Sequence, residues 1–340
     1  MKGPYIAGRA YDAVMFIGAP LLALGIGALI SGTPLADQEI ALWGHEETAT
    51  QIFIGAFIMA HLVLVGARSH LNAAIFARHR WRFVAAPLAV MGLLCASEWA
   101  LAIAMVVVVW WDVVHSSLQT FGLGRIYDAR RGNPPALGRR LDIGLNLVLY
   151  MGPLLGGVTL VEHLDALGAL DEAAGAAIFE VVPVYAAAHQ GALAWAFGAL
   201  GLVYLIVYVL GYLRLRRRGY SVSPQKVALL ATTGACSLYS WGFNSLGEAF
   251  FIMNFFHAWQ YFGIVWWSER GNLRRRLRLE RRAWGEAAAL LLLLSVAGAY
   301  GLWAEVVDSE VRVALSATLV VSLMHFWYDG FIWSVRRRDV

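Results

Sequence analysis

The sequence predicts an all-α, polytopic integral membrane protein with about ten transmembrane helices and both termini in the cytoplasm. Three observations carry that expectation. Hydrophobic residues make up 59% of the 340-residue chain and charged residues only 15%. That is too little polar surface for a soluble domain of this size, and the mean hydropathy is +0.61. The apolar residues fall in runs long enough to cross a hydrocarbon layer. The loops between the runs also alternate in charge, as the positive-inside rule requires.

Taken in order, the runs lie at about 11–32, 49–68, 82–97, 99–127, 141–160, 185–213, 226–243, 245–268, 285–304 and 311–335. The first follows a basic N-terminus. It is long and lacks a small-residue cleavage site, so it reads as a retained span rather than a signal peptide. The loop after it, 33–48, is acidic (Asp37, Glu39, Glu46, Glu47). The second run leads into RSHLNAAIFARHRWR, a basic stretch expected to lie at the interface. The third ends in a tight connection at Ser97 and Glu98. The fourth is followed by a basic loop broken by Pro134 and Pro135, and the fifth by an acidic segment, 161–183. The sixth, eighth and tenth end in arginine clusters, and an acidic turn follows the ninth. Loops after even-numbered runs are thus basic. The others are acidic, or short with a single Glu. No soluble domain or linker interrupts the chain, which reads as one transmembrane domain over 1–340.

The net charge of +4 comes mostly from arginine clusters that abut spans, so it points to membrane topology rather than nucleic-acid binding. Thirty-four glycines suit close helix packing in lipid, and fourteen tryptophans with thirteen tyrosines suit interfacial belts. Cys95 and Cys236 lie inside spans, which argues against a disulfide framework. The expected location is a bacterial inner membrane, and the expected partners are membrane lipids, a hydrophobic small-molecule substrate and a redox partner.

Chemistry concentrates in three stretches. WWDVVHSSLQTFGLGRIYD, residues 110–128, places Asp112, His115 and Gln119 at i, i+3 and i+7, on one helix face. NFFHAWQYFG repeats the order with Asn254, His257 and Gln260, and both stretches end in Gln-x-Phe-Gly. HFWYDGFIW sets His325 four residues before Asp329. Of nine histidines, His45 and His163 fall in outer loops, His70 and His79 in the interfacial stretch, and His189 at the mouth of the sixth span. His61, His115, His257 and His325 lie inside even-numbered spans. They sit 7, 10, 13 and 11 residues before the next inner arginine (Arg68, Arg125, Arg270, Arg336). At about 1.5 Å per residue that is one layer, about 10–20 Å deep, and four imidazoles in one layer suit a single metal centre. A lone histidine in a span often serves only as an interhelical hydrogen-bonding group. Four at matched depth, two with a carboxylate beside them, weigh against that.

Asp112 and Asp329 are expected as ligands or as acceptors that orient the imidazoles, and Gln119 and Gln260 as groups for a bound ligand or a neighbouring helix. Imidazoles with carboxylate and no thiolate suit iron first, with copper, zinc or haem b as other cofactors of such a set. The leading expectation is a non-haem iron oxidoreductase or oxygenase acting on a lipid or isoprenoid. A b-type haem electron carrier and a proton- or metal-coupled transporter are the alternatives. Haem carriers place histidine pairs in two layers, and transporters carry broken helices. The interior spans read as free of proline, with Pro153 and Pro183 near ends. Clustered H-x3-H and H-x2-H-H boxes of membrane desaturases are absent.

The His325 to Asp329 segment, HFWYD, and the scattered mid-span histidines resemble the Brp/Blh type of membrane β-carotene cleavage dioxygenase. The resemblance covers these few positions. It implies a polytopic helical fold, iron held by histidines within helices, and oxidative cleavage of a carotenoid-like substrate.

Overall fold

The computed structural model describes residues 3–34, 38–42, 45–307 and 310–333. Asp37, Asp308 and the arginine cluster at 336–338, all used above to read loop charge, lie outside them. Among the described residues, each of the ten apolar runs is largely helical. We label the long helices α1 (Ala19–Ile30), α2 (Ala49–Val63), α3 (Ala73–Ala96), α4 (Glu98–Arg130), α5 (Arg139–Gly156), α6 (Gln190–Arg217), α7 (Pro224–Phe243), α8 (Leu246–Arg276), α9 (Gly285–Val306) and α10 (Arg312–Ile332). Five spans pass on length and apolarity alone: α4, α6, α9, α10, and α2 taken with its continuation through Ser69. The count rises to seven if two bent pairs are each one span: Arg9–Ile17 with α1, bent by 56°, and α5 with Leu160–Ala174, bent by 99°. The helices α3, α7 and α8 fall short of that test. Arginines at the start of α3 and polar residues inside α8 lower their hydropathy.

Local chemistry accounts for the helix starts. Thr48 and Gln51 form a reciprocal capping box on α2, Asn72 caps α3 through the Ile75 N–H, and Ser223 caps α7 ahead of Pro224. The interfacial stretch and the third run form one helix, α3, with non-helical backbone at His79 and with Pro87 inside it. The reading of proline-free interior spans is therefore corrected: α3 carries Pro87 within its length. The acidic loop after the first run contains an antiparallel hairpin pairing Glu39–Leu42 with His45–Thr48, which the apolar-run analysis missed.

Contacts divide the chain into two compact units. The described part of the first comprises residues 3–24 and 105–257. Within it α5 packs on α6 and α7 through small residues. Tyr204 covers Gly144 and Leu141 covers Gly211 on the α5–α6 seam, while Leu149 covers Gly234 on α7. The N-terminal turn is tied down here. Asp12 accepts hydrogen bonds from the Ile6, Ala7 and Gly8 N–H groups, and Arg130 donates to the Ile6 carbonyl. The outer surface of α6 carries Leu200, Leu202, Val203, Ile206, Val207 and Leu210, all exposed. An exposed apolar face of that length is of the kind that meets lipid or another protein.

The second unit comprises Gly25–Ala104 and Ala258–Trp333. Here α9 lies against α2 so closely that a Cβ at Gly301 would run into the Ala56 carbonyl. The helices α3 and α10 meet through Phe83, Tyr328 and Phe331, with His70 against Phe83 at 5.3 Å between ring centres. Several helices long and apolar enough to cross a membrane, together with the exposed apolar face of α6, are consistent with an integral membrane protein.

Candidate functional site

In the first unit His115 and Gln119 of α4 both meet α8. His115 and His257 are both buried, with ring centres 5.1 Å apart and planes at 82°. The Gln119 amide donates to the His257 carbonyl at 3.0 Å. One turn on, the Thr120 and Tyr150 hydroxyls are 2.7 Å apart.

In the second unit His61 and His325 form a matching pair, with ring centres 5.0 Å apart, planes at 82° and both rings buried. The Nδ1 of His61 bonds the Ile58 carbonyl one turn back, and the Nδ1 of His325 bonds the Leu62 carbonyl at 3.0 Å. Each carbonyl requires Nδ1 to carry the proton, so each Nε2 carries the lone pair, the tautomer a metal ligand needs. The His325 Nε2 lies 4.0 Å from Asp329 Oδ2. The other carboxylate oxygen, Oδ1, accepts from the Tyr261 hydroxyl and the Trp333 indole, each at 2.9 Å. The Tyr261 ring lies 4.6 Å from His325, and Gln260 is buried beside it in the chain. Below this group Arg68 donates to Glu269 at 2.6 Å and to the Ile332 carbonyl, and sits 4.0 Å from the Trp333 ring centre. The eight residues singled out in the sequence therefore divide evenly. Asp112, His115, Gln119 and His257 belong to the first unit, and His61, Gln260, His325 and Asp329 to the second.

The sequence reading missed a buried charge cluster in the first unit. Arg125 donates to Asp128 at 3.0 Å, to Asp142 at 2.6 Å, and to the Pro135 and Leu137 carbonyls. The Lys226 ammonium lies 2.7 Å from both carboxylates. Tyr208 and Tyr212 donate to Asp142, and Tyr220 donates to Asp128. Two cations and two carboxylates balance, and every oxygen with a bonding partner here has a charged or phenolic one, as such burial demands. Burial, reinforced by the hydrogen bond to Asp128 and its charge, raises the Tyr220 hydroxyl above the ordinary phenol range, so it stays a donor. Asp142 turns out to be the centre of this network, and the Asn146 amide donates to its carbonyl at 2.8 Å.

His163 departs from its expected place as a loop residue. It is 3% exposed, bonds the Thr159 carbonyl at 2.8 Å and lies between the rings of Trp110 and Trp241. A further feature of the first unit is an apolar cleft of about 740 Å³ among α5, α6 and α7, lined by Gly152, Gly156, Gly198, Gly201 and Leu205, with Gln190 at its edge.

No protein-family model matches the chain, and no curated protein or solved structure matches it.

Proposed function

We propose that the protein is an integral-membrane, metal-dependent oxidoreductase that uses non-haem iron on a hydrophobic lipid or isoprenoid substrate. On this reading all ten helices are spans, both termini are cytoplasmic, and the host is a bacterial inner membrane. The observation that carries the reading is the spacing of the two imidazole pairs. A metal–nitrogen bond of about 2.0–2.1 Å, plus about 1.1 Å from nitrogen to ring centre, sets each centroid about 3.2 Å from a shared ion. Two ligands at a tetrahedral angle then have centroids about 5.2 Å apart, and two opposite ligands about 6.4 Å. The observed 5.0 and 5.1 Å favour adjacent ligands. They leave no room for a porphyrin between the rings, which weighs against the haem alternative.

In the second unit, His61 and His325 with Asp329 have the composition of a two-histidine, one-carboxylate iron site, which keeps open positions for oxygen and substrate. Tyr261 and Trp333 hold the carboxylate by its far oxygen, the kind of outer support that orients a ligand. In the first unit, His115 and His257 are a second imidazole pair, and Gln119 ties α4 to α8 beside it through the His257 backbone carbonyl. Bound iron would supply dioxygen chemistry. The chain's part is to fix the ligands and keep water out of a dry site. The apolar cleft beside α6 supports an apolar substrate.

The test is metal content and membrane insertion of His61→Ala, His115→Ala, His257→Ala and His325→Ala. Loss of bound metal with normal insertion is expected, and His45→Ala is expected to retain metal. Full retention in all four would defeat the reading.

A second reading, a proton- or metal-coupled transporter, is favoured by one observation. Two helix pairs are sharply bent, one of them by 99°. Broken helices of that kind line transport sites.

A further inference from the structure

We infer a binding site for an anionic phospholipid at one end of the α5–α6 pair. A cleft of about 460 Å³ there is lined by Arg139, Arg140, Arg214 and Arg218, with Leu141 and Leu215 as its floor. The four arginines are exposed, and among the described residues no carboxylate pairs with any of them. This contrasts with the basic end of α8, where Arg274 lies 3.8 Å from Glu286 and Arg275 lies 3.7 Å from Glu280. Arg139 stacks at 5.6 Å from the Phe121 ring centre, which leaves its guanidinium edge for an anion. Guanidinium groups converging in one cleft form forked donors suited to a phosphate.

A second observation selects a lipid over a soluble anion. The helix repeat puts Arg214 and Arg218 on the same face of α6 as Leu200, Val203, Val207 and Leu210. These four apolar residues are 56%, 57%, 48% and 50% exposed. The helix α6 has 28 residues, about 42 Å at 1.5 Å per residue, enough to cross the hydrocarbon layer and reach the headgroups. One ligand that satisfies both the arginines and the stripe above them has a phosphate at one end and an acyl chain along the helix. Basic pockets between helices at the membrane surface bind anionic headgroups for the same reason.

The experiment is native mass spectrometry of the purified full chain in neutral detergent, titrated with phosphatidylglycerol, phosphatidylcholine and inorganic phosphate. Saturable binding of phosphatidylglycerol in preference to phosphatidylcholine is expected, undisturbed by millimolar phosphate. The combined R139Q/R140Q/R214Q/R218Q variant should bind several-hundredfold more weakly, and Arg140→Gln or Arg214→Gln alone about fivefold. The single variants decide the matter if the combined one does not fold. A control, R274Q/R275Q/R276Q/R278Q, should stay within about twofold of the unaltered chain. Equal loss in the control would mean diffuse surface charge and would overturn the site. Competition by phosphate, or no preference for phosphatidylglycerol, would also overturn it.

Discussion

Replacing Asp142 by Ala should be among the most damaging single changes in the chain. The side chain is 1% exposed and takes four partners: Arg125 at 2.6 Å, Lys226 at 2.7 Å, Tyr212 at 2.7 Å and Tyr208 at 3.0 Å. With it gone, two buried cations share Asp128 alone, and the cluster carries an uncompensated positive charge. Removing one partner of a buried pair costs about 3–5 kcal/mol. The loss also unties the start of α5 from the ends of α4 and α6 and the start of α7. In a thermal melt of the detergent-solubilised protein this corresponds to a fall of roughly 5–10 °C. A paired change, Asp142→Asn with Lys226→Met, restores neutrality at similar volume and should recover at least half of the loss. Asp142→Ala within about 1 kcal/mol of the unaltered protein, or a double variant worse than the single one, would refute the charge-balance argument.

Three further outcomes follow from the packing. Gly301→Leu should cost upwards of about 2 kcal/mol, because α9 and α2 cannot separate without losing their contact, and a melt of the purified variant reads it. Arg68→Ala should cost about 3–5 kcal/mol, since it leaves buried Glu269 without its 2.6 Å cation, and Glu269→Gln in the same chain should relieve part of that. His163→Ala should lower the melting temperature by the equivalent of about 1–3 kcal/mol while leaving bound metal unchanged. A silent His163→Ala would mean the two tryptophan contacts contribute nothing.

Helical runs and their loop charges were legible because hydropathy and arginine placement are local properties. Matched depth placed His61, His115, His257 and His325 in one layer, but nothing in the sequence said that His115 would meet His257 or that His61 would meet His325, since each pair joins runs far apart in the chain. Other features depend on partners remote in the chain. Lys226 meets Asp128 from 98 residues away, and nothing in either neighbourhood announces the other. Arg125 was read as a marker of a membrane edge, although it is 5% exposed and fully engaged. The signal that was available is the combination of Arg125 and Asp128 at i and i+3 with a first-turn Asp142 and a first-turn Lys226, each at the end of an apolar run. His163 looked like a loop residue because the 99° bend after α5 was not foreseen. Gly157 follows α5 in extended backbone, and a Cβ there would collide with the Trp241 carbonyl. The hairpin at Glu39–Thr48 escaped notice because its strands are only four residues long and lack a full alternation of apolar and polar positions.

The most direct test of the functional reading is metal analysis with a visible spectrum on protein purified anaerobically in detergent. The account predicts stoichiometric iron with no Soret band, and iron lost from the His61→Ala and His325→Ala variants. A strong Soret band, or protein that holds neither metal nor haem, would contradict it, and the second result would favour the transporter reading.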